Sequence, residues 1–172
     1  GCYAYGIRWS PFDSSLLFHR ADRLHRTKEF CSADPGTGQV RVLVREQQPL
    51  TWTDNQPQRQ YLAESSEISQ KPELRASAIW ISERNGFRNL YLAHLANGTL
   101  RPITQHRFDV ENILRTDLLA GWVWYTARSA ENPYYLQLHR VKLDGSGDER
   151  LTDPAYHHSV NIAPDGRHFV DV

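Results

Sequence analysis

The chain has 172 residues, enough for one domain with a sizeable core, and its 20 acidic and 20 basic side chains leave no formal net charge. That balance argues against nucleic acid as a partner, because nucleic-acid binders carry a basic excess. No apolar run approaches the length of a transmembrane helix and no leader is visible, so no membrane span is expected.

Read in chain order, the sequence is a series of short apolar and aromatic runs divided by tight-turn residues. Met is missing even at position 1, which points to a segment of a longer protein. Cys2 and Cys31 form neither a CxxC pair nor a framework, so two buried free thiols are expected and the redox compartment stays open. A first strand is predicted over 5–10. Residues 16–44 then read as strand, loop, strand, turn, strand, with the turn at Asp34-Pro35-Gly36-Thr37-Gly38. Residues 50–74 read as an insertion rich in Ser, Glu and Gln, with a strand at 60–63 and room for one helical turn. Residues 79–104 repeat the earlier pattern, with turns at Asn85-Gly86 and Asn97-Gly98. A strand at 110–114 leads into a third copy at 122–152, whose turn is Asp144-Gly145. Residues 159–162 and 168–170, divided by Asp165-Gly166, open a fourth. Asn-Gly and Asp-Gly tolerate the positive φ that tight hairpins need.

The second and third copies are offset by about 44–48 residues, the spacing of propeller blades. The first and second are offset by about 60, which is where the insertion falls. Runs such as Ile79-Trp80-Ile81 and Trp122-Val123-Trp124-Tyr125 are apolar on both faces, as sheets stacked face to face require. The expected fold is therefore all-β, a partial β-propeller of about three and a half four-stranded antiparallel blades. The blades fall at residues 5–46, 50–104 (with the insertion at 50–74) and 108–152, and the next begins at 157–172. A partial propeller leaves open sheet edges, so the isolated chain is expected to self-associate.

Reactive chemistry is sparse. Gly145-Ser146-Gly147 lacks the glycine spacing of a G-x-S-x-G elbow and sits in a hairpin, so no catalytic residue is expected. His157, His158 and Asp153 have no fourth ligand signalled by spacing. His19, His94 and His139 lie in predicted strands, where a structural role is expected. No metal and no cofactor is expected. Asp109 and Glu111 read as a solvated blade edge. Arg20, Arg84 and Arg128 each follow the first strand of a copy, which suggests a structural role such as bonding turn carbonyls. Long loops on rigid scaffolds tend to carry binding residues. The insertion accordingly offers Trp52, Arg59, Tyr61 and Glu64 as substrate-facing candidates, although Tyr61 also reads as a core strand residue.

WSPFDSS (9–15) and IAPDGRHFV (162–170) look like the W-S-P-D-G signature of propeller repeats in prolyl oligopeptidase relatives and TolB-type proteins. DGSGDERLTD (144–153) has the D-G-S-G-x-x-x-L-T ending of the same repeats. The order IWISERNGFRNLYLAHLANGTLRPIT, FDVENILRTD, WVWYTARS, LHRVKLDGSGDERLT, HHSVNIAPDGRHFVDV resembles the later half of the N-terminal propeller of the dipeptidyl peptidase IV family. The resemblance implies a parent serine peptidase that removes N-terminal dipeptides from peptide substrates. Its catalytic partner would be an α/β-hydrolase domain of the same parent chain, with the propeller walling the cavity and gating entry. The resemblance also implies that an Arg of the insertion, here Arg59, can approach the peptide backbone. The family's paired glutamates lie earlier in the propeller; Glu64 and Glu67 are not adjacent, and that role is not carried onto them. A periplasmic or extracellular setting is what the resemblance favours. A TolB-type propeller module for protein interaction, without enzymatic activity, remains the open alternative. A G-x-S-x-G elbow encoded downstream would separate the two.

Overall fold

The structure is a computed structural model that describes residues 1–48, 50–53 and 58–172. The described residues form three four-stranded antiparallel sheets and one two-stranded hairpin. The first sheet comprises β1 (Cys2–Trp9), β2 (Leu16–Asp22), β3 (Thr27–Ala33) and β4 (Val40–Gln47). The second comprises β5 (Arg59–Tyr61), β6 (Ser77–Ser82), β7 (Asn89–His94) and β8 (Thr99–Pro102). The third comprises β9 (Val110–Asp117), β10 (Trp122–Ala127), β11 (Gln137–Lys142) and β12 (Glu149–Arg150). The hairpin pairs β13 (Val160–Ile162) with β14 (Phe169–Asp171). In every sheet the strands pair in sequence order, as a meander. This is the partial propeller expected from the repeats.

The apolar residues on both faces have a direct explanation. Along β6, Ala78 and Trp80 pack with Leu17, Phe30, Leu43 and Val44 of the first sheet. Their neighbours Ile79 and Ile81 point the other way and pack with Val110, Val123, Tyr125 and Val141 of the third. Side chains alternate across a strand, so a sheet sandwiched between two others must be apolar at every position. All six residues of β6 are buried accordingly.

The joints between sheets repeat. Arg41 Nη1 donates to the carbonyl of Ala96 at 2.9 Å, and Arg101 Nη2 donates to that of Leu143 at 2.8 Å. At the same joints the β7–β8 turn meets β4, and the β11–β12 turn meets the end of β8. A Cβ on Gly98 would stand 2.9 Å from Leu43 O, and one on Gly145 would stand 3.1 Å from Ile103 O. The first joint also holds Glu46, whose carboxylate accepts Trp80 Nε1–H (3.1 Å), Ser82 Oγ–H (2.9 Å) and Arg84 Nη2–H (2.9 Å). The recurrent Leu-Thr and Ile-Thr endings have a use as well. Thr104 Oγ1 accepts the N–H of Leu90 and donates to Asn89, while Thr152 Oγ1 accepts the N–H of Leu138 and donates to Gln137.

Four expectations need correction. Cys2 is exposed, because β1 is an edge strand whose side chains mostly face solvent; only Cys31 is buried. The strand of the insertion ends at Tyr61, and the segment after it makes three single 3-10 turns (Leu62–Glu64, Ile68–Gln70, Pro72–Leu74). Arg84 and Arg128 do follow strands, but Arg20 lies inside β2 and is not their repeat equivalent. All three arginines pair with carboxylates, Arg20 with Glu29, Arg84 with Glu46 and Arg128 with Glu111, and Arg128 also bonds a turn carbonyl as expected, its Nη1 donating to Pro133 O at 2.8 Å. Glu111 also pairs with Arg88, and Asp109 accepts the N–H of Arg88, so neither acid is a merely solvated edge.

Candidate functional site

The first strands of successive sheets converge. Gln58 Oε1 accepts the N–H of Ile113 (2.7 Å), and Gln60 Oε1 accepts Thr116 Oγ1–H (2.9 Å), which ties the β5 segment to β9. On its other side β5 meets β1. Arg8 Nη2 donates to Glu64 Oε1 at 2.7 Å, and its guanidinium lies 4.9 Å above the Tyr61 ring.

A glycine bulge puts Arg8 there. Tyr5 pairs with His19 and Arg8 with Leu17, so β1 carries one extra residue between the two pairs. Gly6 absorbs it at φ +64°, a conformation other residues rarely adopt. Directly paired residues share a face. Tyr5 and Arg8, three apart, therefore both face the joint with the second sheet, whereas in a regular strand they would point opposite ways.

Arg59 sits at the centre of this joint. Its Nε donates to Tyr61 Oη at 2.9 Å. Its guanidinium lies 5.2, 5.6 and 5.9 Å from the rings of Phe30, Tyr61 and Trp80. Cation–π contacts of this kind hold a guanidinium in place while leaving donors for a ligand. His19 fills the back wall, stacked on Tyr5 and tilted against Phe30 and Trp80. Neither of its ring nitrogens has a hydrogen-bond partner among the described residues. Burial, reinforced by the positive charges of Arg59 and Lys28, pushes His19 down to about 3.

That depression has a sign. The unfolded chain takes up a proton near the ordinary histidine value and the native chain does not, so stability is full above about pH 6.5 and falls as the pH drops toward about 3. At about pH 4.5 the loss from this one group is roughly 2–3 kcal/mol. His19→Phe is expected to flatten urea-denaturation stability between these limits; an unchanged slope would show that His19 titrates normally.

Three of the four sequence candidates thus come together: Arg59 and Tyr61 touch, and Glu64 joins them through Arg8. Tyr61 is both a core residue, 3 % exposed, and a wall of the site. Trp52 stands apart. It is 75 % exposed, next to Thr53, whose N–H and Oγ–H both donate to the carbonyl of His25 in the β2–β3 turn. No hydrogen bond or ring contact among the described residues joins Trp52 to the other three. His19 has the structural strand role expected of it, whereas Arg8 carries no direct sequence signal as a site residue. Arg8 meets its partner across 56 positions, and no local pattern signals such a pairing; the Tyr5-Gly6-Ile7-Arg8 bulge was the one available clue.

The remaining polar candidates have structural partners. Glu67 accepts the N–H of Leu118 at 2.6 Å. Ser146 Oγ donates to Asp144 within the hairpin turn. His158 binds Asp171 and the carbonyl of Asp153.

The chain matches the family model for the dipeptidyl peptidase IV N-terminal region over residues 2–172. Its fold is similar to that of a protein assigned as a dipeptidyl aminopeptidase IV from Bacteroides ovatus ATCC 8483. The TM-score is 0.72 at 20 % identity, over 99 % of this chain and 25 % of the other. Dipeptidyl peptidase 4 of Porphyromonas gingivalis gives a TM-score of 0.64 at 17 % identity, over 91 % and 20 %. TolB from Acinetobacter baumannii gives 0.55 at 13 % identity, over 98 % and 37 %. The chain spans a quarter or less of the two peptidases. No helix among the described residues is long and apolar enough to cross a membrane. With the family model matched from one end to the other, and with sheets that stack as those of the solved relatives do, the chain belongs to the family of dipeptidyl peptidase IV N-terminal regions.

Proposed function

We propose that this propeller segment serves a dipeptidyl peptidase IV-like serine peptidase by admitting and selecting the N-terminal dipeptides of its substrates. An α/β-hydrolase domain of the same parent supplies the nucleophile. The observation that carries this reading is the family match across residues 2–172. The converging first strands support it, because they bring Arg59 and its aromatic bed to the side of the molecule where a propeller has its channel. In this reading the Arg59 guanidinium donates to a carbonyl oxygen of the bound peptide. Tyr61 and the Arg8–Glu64 pair hold it in place.

The test uses the full parent protein. Arg59→Ala is expected to raise KM for a dipeptidyl chromogenic substrate about tenfold while kcat changes less than about threefold, the pattern of lost ground-state binding. The 172-residue chain alone is expected to show no turnover. An unchanged KM removes Arg59 from the substrate site. A parent protein with no G-x-S-x-G elbow removes the peptidase reading and leaves the TolB-type interaction module.

A further inference from the structure

We propose that His106, His139 and Asp148 form a binding site for one zinc ion, which clasps the connection entering the third sheet to that sheet's outer strands. One ligand atom from each residue lies within 4.8 Å of the other two. His106 comes from the β8–β9 connection, His139 from β11, and Asp148 from the β11–β12 turn, so the three meet only in the fold.

His106 Nε2 already lies 3.1 Å from Asp148 Oδ2. With zinc–ligand bonds of about 2.0–2.1 Å, the donors of a tetrahedral site stand about 3.3 Å apart. The pair is therefore at zinc spacing, and the third donor has only a short distance to close.

The second, independent observation is His139. It is 5 % exposed, and its Nε2 is buried with no hydrogen-bond partner among the described residues. Leaving such a nitrogen unsatisfied is costly, and the ring that carries it belongs to one of the three residues that meet here.

The surroundings are those of a metal site. Tyr125 Oη donates to Asp148 Oδ1 at 2.6 Å and stands 2.9 Å from His106 Nε2. It orients the carboxylate from outside the ligand set, as outer partners of metal ligands do. Phe108 stacks on the His106 ring at 4.2 Å and borders His139, giving an apolar wall. The backbone of His106 is fixed on both sides by Asn89: Nδ2–H donates to His106 O, and Oδ1 accepts His106 N–H. Asp148 keeps a quarter of its side chain in solvent, which gives an ion and a fourth, water ligand a way in. Two imidazoles and one carboxylate are a donor set that zinc favours over calcium or magnesium. On binding, His106 Nε2 gives up to solvent the proton it shares with Asp148 and turns its lone pair to the metal, leaving the neutral ring protonated on Nδ1.

The test is zinc chloride titrated by calorimetry into the chelator-stripped full chain. One ion per chain is expected, with Kd at or below about 1 μM and a rise in Tm of about 4 °C or more at saturation. Cobalt(II) in place of zinc is expected to show the visible absorption of a four-coordinate ion. His139→Phe and Asp148→Asn are each expected to weaken zinc at least tenfold. Asn matches Asp in size and keeps an oxygen to accept from Tyr125 Oη, so Asp148→Asn keeps the fold and decides the matter if His139→Phe does not. The proposal is overturned by no saturable uptake at about 100 μM zinc, or by uptake that Asp148→Asn leaves unchanged, which would put the ion elsewhere.

Discussion

Glu46→Ala is expected to destabilise the chain by about 3–5 kcal/mol, the range for removing one partner of a buried charge network. Glu46 is 8 % exposed and sits between the first two sheets. Its carboxylate is the acceptor for an indole N–H, a hydroxyl and a guanidinium, all from the second sheet. Trp80 has a donor and nothing else to offer, and its ring is fully buried. Without Glu46 that N–H has no partner among the described residues, and the positive charge of Arg84 loses its counter-ion at a half-buried site. Each stranded donor costs its desolvation, and truncation adds a cavity. Urea denaturation followed by tryptophan fluorescence gives the number directly. Glu46→Gln keeps the volume and one acceptor, so it should fall between wild type and Ala. A loss under about 1 kcal/mol in Glu46→Ala would mean that the network adds nothing net.

Gly98→Ala is the second large effect, about 2–4 kcal/mol. Two costs combine. The backbone there has φ +75°, a conformation worth about 1–2 kcal/mol to a residue with a Cβ. The new carbon would also stand 2.9 Å from the carbonyl oxygen of Leu43, a main-chain atom of the neighbouring sheet that has no rotamer to change. Gly86→Ala separates the two terms. Its φ is +94°, yet a Cβ there meets nothing within 4 Å, so it should show the conformational cost alone. If both substitutions cost the same in urea denaturation, the contact with Leu43 carries no energy.

Much of the architecture can be read from local sequence because turns and repeats are local. Asn97-Gly98 and Asp144-Gly145 mark hairpins by the φ they require, and Ile79-Trp80-Ile81 reveals a sheet buried on both sides by simple alternation. The sites are different. Arg59, Tyr61 and Glu64 are visible as polar residues in an insertion, but Arg8 reaches them through a register shift at Gly6, which changes a facing direction without changing composition. His106, His139 and Asp148 are invisible for a related reason: they lie on three separate elements, and their spacing along the chain has no metal-ligand period. Asp109 and Glu111 read as solvated because their arginine partners come from the preceding sheet or the far end of a strand.

The contacts at Gly98 and Gly145 hold neighbouring sheets together partly through atoms that every residue type shares. What meets at each joint is main chain against main chain: a turn glycine under a carbonyl, with an arginine bonding a second carbonyl beside it. A peptide group is the same in every protein, so the pitch from one blade to the next is set by atoms that substitution does not alter. Side chains outside the packed cluster around Trp80 and Glu46 are then free to drift without changing the angle between blades.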